Sequence, residues 1–279
     1  MIRRPPRSTH CISSAASDVY KRQHFYLSVA DSDVLLWARG LAIGFGLNVR
    51  IREPDVWPLA VQGPKAADVL AKVFGERIYS IKKFNFDYFS LDGSSQLIAK
   101  TGYSRIGGFE IYLSRPELGS SLWETILEAG RSENIRPGSP NIIDRVEAGL
   151  LSFGNEMTVE NTPLECNMDK FLDINKEADY IGKKVLQRQI RYGIKRRIRG
   201  VIYNGPKLPT ISRPLQVFDI DKRTIVGSLT SGAFSPHFKR NIGVGMIKYG
   251  YWDNNKKILV NIADQEFREG LIKDLPLIQ

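Results

Sequence analysis

From Ile198 onward the sequence offers only short strands, and no other feature limits the fold as much. "IRGVIY", "LQVFDID", "TIVGSLTSG", "NIGVGMIK" and "KILVNIA" succeed one another with turn residues between them and no helical period. Strands this short bury their apolar sides by closing on one another. The segment 196–279 is therefore expected to be a small antiparallel β-barrel or sandwich.

The preceding part mixes helices with strands. After the strand "HFYLSVA", Asp31 or Ser32 is placed to cap a helix whose apolar face carries Val34, Leu35, Ala38 and Leu41, with Gly44 and Gly46 ending it. The "GFG" at 44–46 follows a helix and lacks a third glycine, so it reads as a helix stop rather than a nucleotide loop. "LNVRIREP" reads as a strand closed by Pro54. "WPLAVQGPKAADVLAKVFG" reads as strand, turn and helix. Strands are expected at 86–91 and 96–100, joined by "DGSS", then "GFEIYL", then a helix over about 117–130. Residues 140–153 predict an amphipathic helix with Ile142, Val146, Leu150 and Phe153 on one stripe, and "GNEMTVENTPLEC" a loop. Interleaved hairpins and helices argue α+β. The expected divisions are 23–138, an α+β ligand-binding portion; 139–195, helix and loop completing it; and 196–279, the barrel.

The chain has 279 residues, 42% of them hydrophobic, enough for about two domains with real cores. No apolar run approaches the roughly 18–20 residues of a membrane span, so no membrane partner is expected. Cys11 and Cys166 lie far apart, and His10, His24 and His237 form no cluster. No metal site is expected, and a reduced, cytoplasmic compartment is the simpler reading. His237, with no acid or nucleophile near it in sequence, reads as a turn residue.

The net charge is +10. Residues 1–22 distort that figure. They carry five basic residues and one acidic residue, leaving +6 for the rest. The segment is Ser-rich, without apolar period or secretory apolar run. A transit peptide has this composition, but the segment resembles translated sequencing-adapter sequence, and it is read as foreign and unstructured. The basic run 187–200, "QRQIRYGIKRRIRG", has one aromatic residue. A solvated connector explains it better than an RNA site, so no nucleic-acid partner is expected.

"AKTGYSRIGGFEIYL", 99–113, sets a glutamate in a strand. Phe109, Ile111 and Leu113 alternate on one face; Glu110 and Tyr112 project from the other. Glutamate is a poor strand former. A carboxylate there can accept two parallel N–H bonds, such as the amino-pyrimidine edge of a pterin or guanine offers. Gly107 and Gly108 would let a flat ring approach the backbone, and Tyr103 and Tyr112 could stack on it. An exposed glutamate in a solvated strand fits the pattern as well, and the residues alone leave both readings open.

"TGYSRIGGFEIYL" resembles the Gly-Tyr-x-x-x-x-Gly-Phe-Glu pattern of the glycine-cleavage T-protein family. "LAVQGPKA" at 59–66, "RVEAGLLSFGNEM" at 145–157, "ENTPLEC" at 160–166 and "TSGAFSPHFKRNIGVGMI" at 230–247 resemble it too, in the family's order. The resemblance implies a T-protein-like fold, a ferredoxin-like α/β portion plus the barrel, with an incomplete first domain. It implies tetrahydrofolate as cofactor, with Glu110 holding the pterin. Tyr112 and Tyr103 would line the pocket, and Ser28 and Asp31 would lie at its rim, on the side of a small-molecule donor. Catalytic residues are expected in a region that family members carry before His24, so this chain alone is expected to be nearly inactive. A homodimer is compatible with the family.

Within the family, "SVADSDV", "VFGERI", "RPGSPNIIDRVEAGLLSFGNEMTVENTPLEC" and "SPHF" resemble the dimethylsulfoniopropionate demethylase branch, and Asn141 stands where the T-protein has a folate-contacting arginine. Tyr103 instead is T-protein-like, where the demethylases have tryptophan. The implied activity is methyl transfer from dimethylsulfoniopropionate or a similar donor to tetrahydrofolate. The alternatives are an aminomethyltransferase or N-demethylase, and a non-catalytic folate-binding relative.

Overall fold

The computed structural model describes residues 34–104, 106–139 and 141–278, together with the backbone of two short strands, β1 (Ile12–Ala16) and β2 (Phe25–Val29). These two pair antiparallel, Ser13 opposite Ser28. The expectation that residues 1–22 take no regular structure is corrected to this extent: Ile12–Ala16 is a strand. The chain divides into two compact units, Met1–Ser139 and Pro140–Gln279.

In the first unit, α1 (Leu35–Gly44) is followed by β3 (Trp57–Gln62), α2 (Ala66–Phe74), β4 (Phe86–Leu91), β5 (Ser94–Ala99), β6 (Gly108–Leu113) and α3 (Gly119–Ala129). Four of the strands form an antiparallel sheet in the order β3-β6-β5-β4. The period of two sends Val61, Phe89, Ile98, Phe109, Ile111 and Leu113 to one face. There they join Val69 and Leu70 of α2 and Leu122 and Ile126 of α3 in one buried cluster. Each such side chain contributes about 1.5–3 kcal/mol by leaving water, which fixes the register of the sheet. The strand expected at 47–54 does not form. Leu47 and Val49 stay exposed, and none of 47–54 joins a β-ladder among the described residues.

The second unit holds α4 (Ile142–Glu147), α5 (Lys183–Tyr192) and six strands: β7 (Arg196–Tyr203), β8 (Leu215–Phe218), β9 (Ile225–Ser235), β10 (Arg240–Lys248), β11 (Lys257–Ala263) and β12 (Glu266–Lys273). They close into a barrel in the order β10-β7-β12-β11-β8-β9, which settles barrel against sandwich. The closing strand β12, "EFREGLIK", is one the sequence reading lacked. Val201, Tyr203, Val217, Val226, Leu229, Ile247, Ile258, Val260 and Ile272 form the barrel's main apolar cluster. Ile198, Ile242 and Val244 instead pack with Val146 of α4, Leu151 and Cys166. From Pro140 onward the chain packs as one compact unit with the barrel. The helix expected over 140–153 is much shorter. It ends at Glu147, and Gly149 turns left-handed at φ +64°, so Phe153 leaves the predicted stripe and is 38% exposed.

Candidate functional site

Strand β6 lies between β3 and β5, with Glu110 directly opposite Ala60 on one side and Ala99 on the other. Tyr112 is opposite Pro58 and Leu97. Facing pairs share a face of the sheet. Glu110 and Tyr112 therefore project from the side away from α2 and α3, and both are half-buried. The flanking side chains Pro58, Ala60 and Ala99 are small, so the carboxylate stands above a low, flat surface.

Two hydroxyls meet that carboxylate. Thr101 Oγ1 donates to Glu110 Oε2 in a short bond, and Tyr112 donates to the same oxygen at 3.4 Å. No described residue donates to Oε1. Thr101 comes two residues after Ala99, and continuing the alternation of β5 carries it to the face of Glu110. The sequence reading missed it, although the register of β5 against β6 would have revealed it.

A second missed residue is Gln62, read only as part of a turn. Its Nε2 donates to the carbonyls of Thr101 (3.1 Å) and Phe109 (3.2 Å), and its Oε1 accepts from Ser104 Oγ at 2.8 Å. One amide thus ties the end of β3 to both ends of the β5–β6 connection. It also explains two glycines. A Cβ on Gly102 would overlap the Gln62 amide, and one on Gly108 would collide with the Val61 carbonyl. Gly107 and Gly108 have φ of +88° and +149°, backbone that favours glycine.

Of the sequence-predicted residues, the structure brings Glu110 and Tyr112 together. Tyr103 stands half-buried in the β5–β6 connection beside the Gln62 clamp. Ser28 belongs to β2, where the backbone alone is described, and Asp31 lies outside the described residues. Asn141 caps α4, its Oδ1 accepting from the Asp144 amide at 2.9 Å. Among the described residues no group of three or more His, Cys, Asp or Glu could hold a metal ion, and no helix is long and apolar enough to cross a membrane.

The motif "RVEAGLLSFGNEM" has a different use. Arg145 makes a two-pronged pair with Glu156 (2.7 and 3.1 Å) and also donates to the Leu150 carbonyl at 3.0 Å and to Ser231 Oγ at 2.6 Å. The Ser152 amide donates to Glu156 at 2.7 Å, and Asn155 donates to Ser231 at 2.8 Å. Glu147 accepts from Ser235 Oγ, which itself accepts from the Phe238 amide at 3.0 Å. These buried carboxylates hold α4 and its loop on β9 and β10.

The family domains that match the chain divide it later than its packing does, at about residue 176 rather than 139. Residues 18–176 match the GCVT N-terminal domain, and residues 196–275 match the glycine cleavage T-protein C-terminal barrel domain. The dimethylsulfoniopropionate demethylase DmdA of Ruegeria pomeroyi is 43% identical over 229 residues, 82% of this chain and 62% of that protein. The chain thus spans less than two thirds of the demethylase's length. An aminomethyltransferase of Desulfitobacterium hafniense is 34% identical over 261 residues, 92% of this chain and 70% of its own. The crystal structure of the glycine cleavage system aminomethyltransferase T from Bartonella henselae superposes with a TM-score of 0.75 at 22% identity, over 91% of this chain and 68% of that one, and shares the fold. Two family domains in their order, a closed six-stranded barrel and relatives above 30% identity make this chain a member of the glycine cleavage T-protein family.

Proposed function

We propose that the chain belongs to a tetrahydrofolate-dependent one-carbon transferase, with Glu110 as the anchor of the pterin. The observation that carries this reading is a half-buried carboxylate on the sheet face away from α2 and α3, with one oxygen to which no described residue donates. Such an oxygen suits the N–H edge of an aminopyrimidine. Ala60 and Ala99 on either side leave a flat ring room to lie against the strands.

When bound, tetrahydrofolate accepts the one-carbon unit at N5. The protein's residues act by position: Glu110 orients the ring edge, Tyr112 bounds it, and the clamped β5–β6 connection holds Tyr103 towards the donor side. Alignment and exclusion of water can supply ~7–11 kcal/mol of a transfer barrier. The preferred donor is dimethylsulfoniopropionate or a similar sulfonium, supported by the 43% identity to DmdA. A sulfonium leaves as a neutral thioether, so no side chain has to protonate it, and tyrosine rings suit its positive charge. Tyr103 supports a second reading, aminomethyl transfer from an amine, as does the likeness to aminomethyltransferases. A cytoplasmic, small-molecule enzyme that acts on neither nucleic acid nor membranes fits both.

The test joins to this chain the N-terminal region that its longer relatives carry, offers tetrahydrofolate with a panel of sulfonium and amine donors, and follows methylated or methylene folate by mass spectrometry. Methylfolate formed from sulfonium donors alone is the expected result. Product from amines alone favours the second reading. Failure to bind tetrahydrofolate overturns both.

A further inference from the structure

A carboxylate turns freely about its last bond, because that torsion is broad and two-fold. An anchor that must meet one edge of a flat ring needs that rotation stopped. The contacts of Glu110 show how. Thr101 Oγ1 gives Oε2 a short, charge-assisted bond, while the Tyr112 hydroxyl reaches the same oxygen at a longer 3.4 Å. Both donors fall on Oε2 and none of the described residues donates to Oε1. Thr101 is itself held, since its carbonyl accepts from Gln62 Nε2 at 3.1 Å and a β-branched side chain is stiff at χ1. The order of support therefore runs from Gln62 to Thr101 to Glu110.

We propose that Thr101 is a positioning residue, which holds Glu110 by Oε2 and so leaves Oε1 as the oxygen offered to the ligand. This rests on the reading of Glu110 as the pterin anchor. Thr101 touches the carboxylate and acts through it. Thr101 is held through its carbonyl as well as its hydroxyl, and it stays fixed when the ring enters.

A double-mutant cycle tests this on the chain joined to the N-terminal region that its longer relatives carry: wild type, Thr101→Val, Glu110→Gln and the double variant, with Thr101→Ser as the conservative replacement. Valine keeps the shape of threonine and removes the donor. In tetrahydrofolate titrations Thr101→Val is expected to weaken binding about ten-fold when Glu110 is present and hardly at all beside Glu110→Gln, with Thr101→Ser recovering most of the loss. Equal losses in both backgrounds would mean that Thr101 acts on the fold alone, and the proposal would be wrong. Thermal unfolding without ligand gives an independent reading. The combined loss in Tm should fall short of the sum of the single losses by about 3 °C. Additive losses overturn the Thr101–Glu110 bond. If wild type does not bind tetrahydrofolate, the folate reading falls, and the unfolding cycle still decides whether Thr101 holds Glu110.

Discussion

Glu110 and Glu156 are both carboxylates in the family's signature stretches, and the structure uses them in opposite ways. Glu156 is 4% exposed, and Arg145, in two-pronged contact, and the Ser152 amide supply its partners from within the chain. Glu110 is half-buried and takes two hydroxyls on one oxygen and, among the described residues, none on the other. The difference is one of satisfaction. A carboxylate whose acceptor sites are met by its own fold is a fastener, and one left partly unmet on an open face is an invitation to a ligand. Membership of a motif does not separate the two; hydrogen-bond accounting does.

The sharpest break of this contrast is Glu156→Gln. It leaves the Arg145 guanidinium buried without its counter-charge, and about 3–5 kcal/mol of stability should go, read by urea unfolding. A loss below about 1 kcal/mol would show that Glu156 is no fastener. Glu110→Gln should do the reverse. Stability should fall by no more than the roughly 1 kcal/mol of the Thr101 bond, while tetrahydrofolate affinity falls by about 1.5–3 kcal/mol in calorimetric titration. Unaltered affinity with lowered Tm would make Glu110 a fastener too.

The same interior gives a pH prediction. Burial, helped by the neighbouring Glu165 carboxylate and opposed by Arg196, pushes the Cys166 thiol up to about 11 from an ordinary 9.0. An unfolded thiol releases its proton near the ordinary value and the folded one holds it, so between those values rising pH favours unfolding. Stability relative to Cys166→Ala should fall by about 2 kcal/mol from pH 8 to pH 11. A flat difference would mean that water reaches the thiol.

The smallest effect is expected at the surface, where Lys65 (2.7 Å) and Lys72 (3.2 Å) flank Glu133 and draw its carboxyl down to about 2. The unfolded carboxyl protonates near its ordinary 4.5, so whatever the pair contributes is present above that value and is lost as pH falls from there towards 2. Glu133→Gln should shift Tm less than any change above, and added salt should erase the shift.

Much of this was legible in the sequence. Period-two apolar residues marked β6 correctly and put Glu110 and Tyr112 on the face opposite Phe109, Ile111 and Leu113. The run of short strands announced a closed β unit. Thr101 and Gln62 stayed hidden because their roles depend on strand register and on a long-range amide, neither of which has a local signature. β12 escaped because "EFREGLIK" places charges along its length; Glu269 is exposed, while the Arg268 side chain lies largely covered and donates to the Pro206 carbonyl. The stretch 47–54 had the pattern of a strand, but a strand needs a neighbour as well as a pattern.

The closure of the barrel carries a consequence for how the protein is made. Strand β7 is flanked by β10 and β12, so Gly200 sits opposite Val244 on one side and Lys273 on the other. Its second neighbour therefore follows it only after β8, β9, β10 and β11 have been made. Until β12 is added, β7 and β11 both present bare edges, which invite pairing with other chains. Because the closing pair spans a long sequence distance, closure of the barrel should be the slow step in its folding.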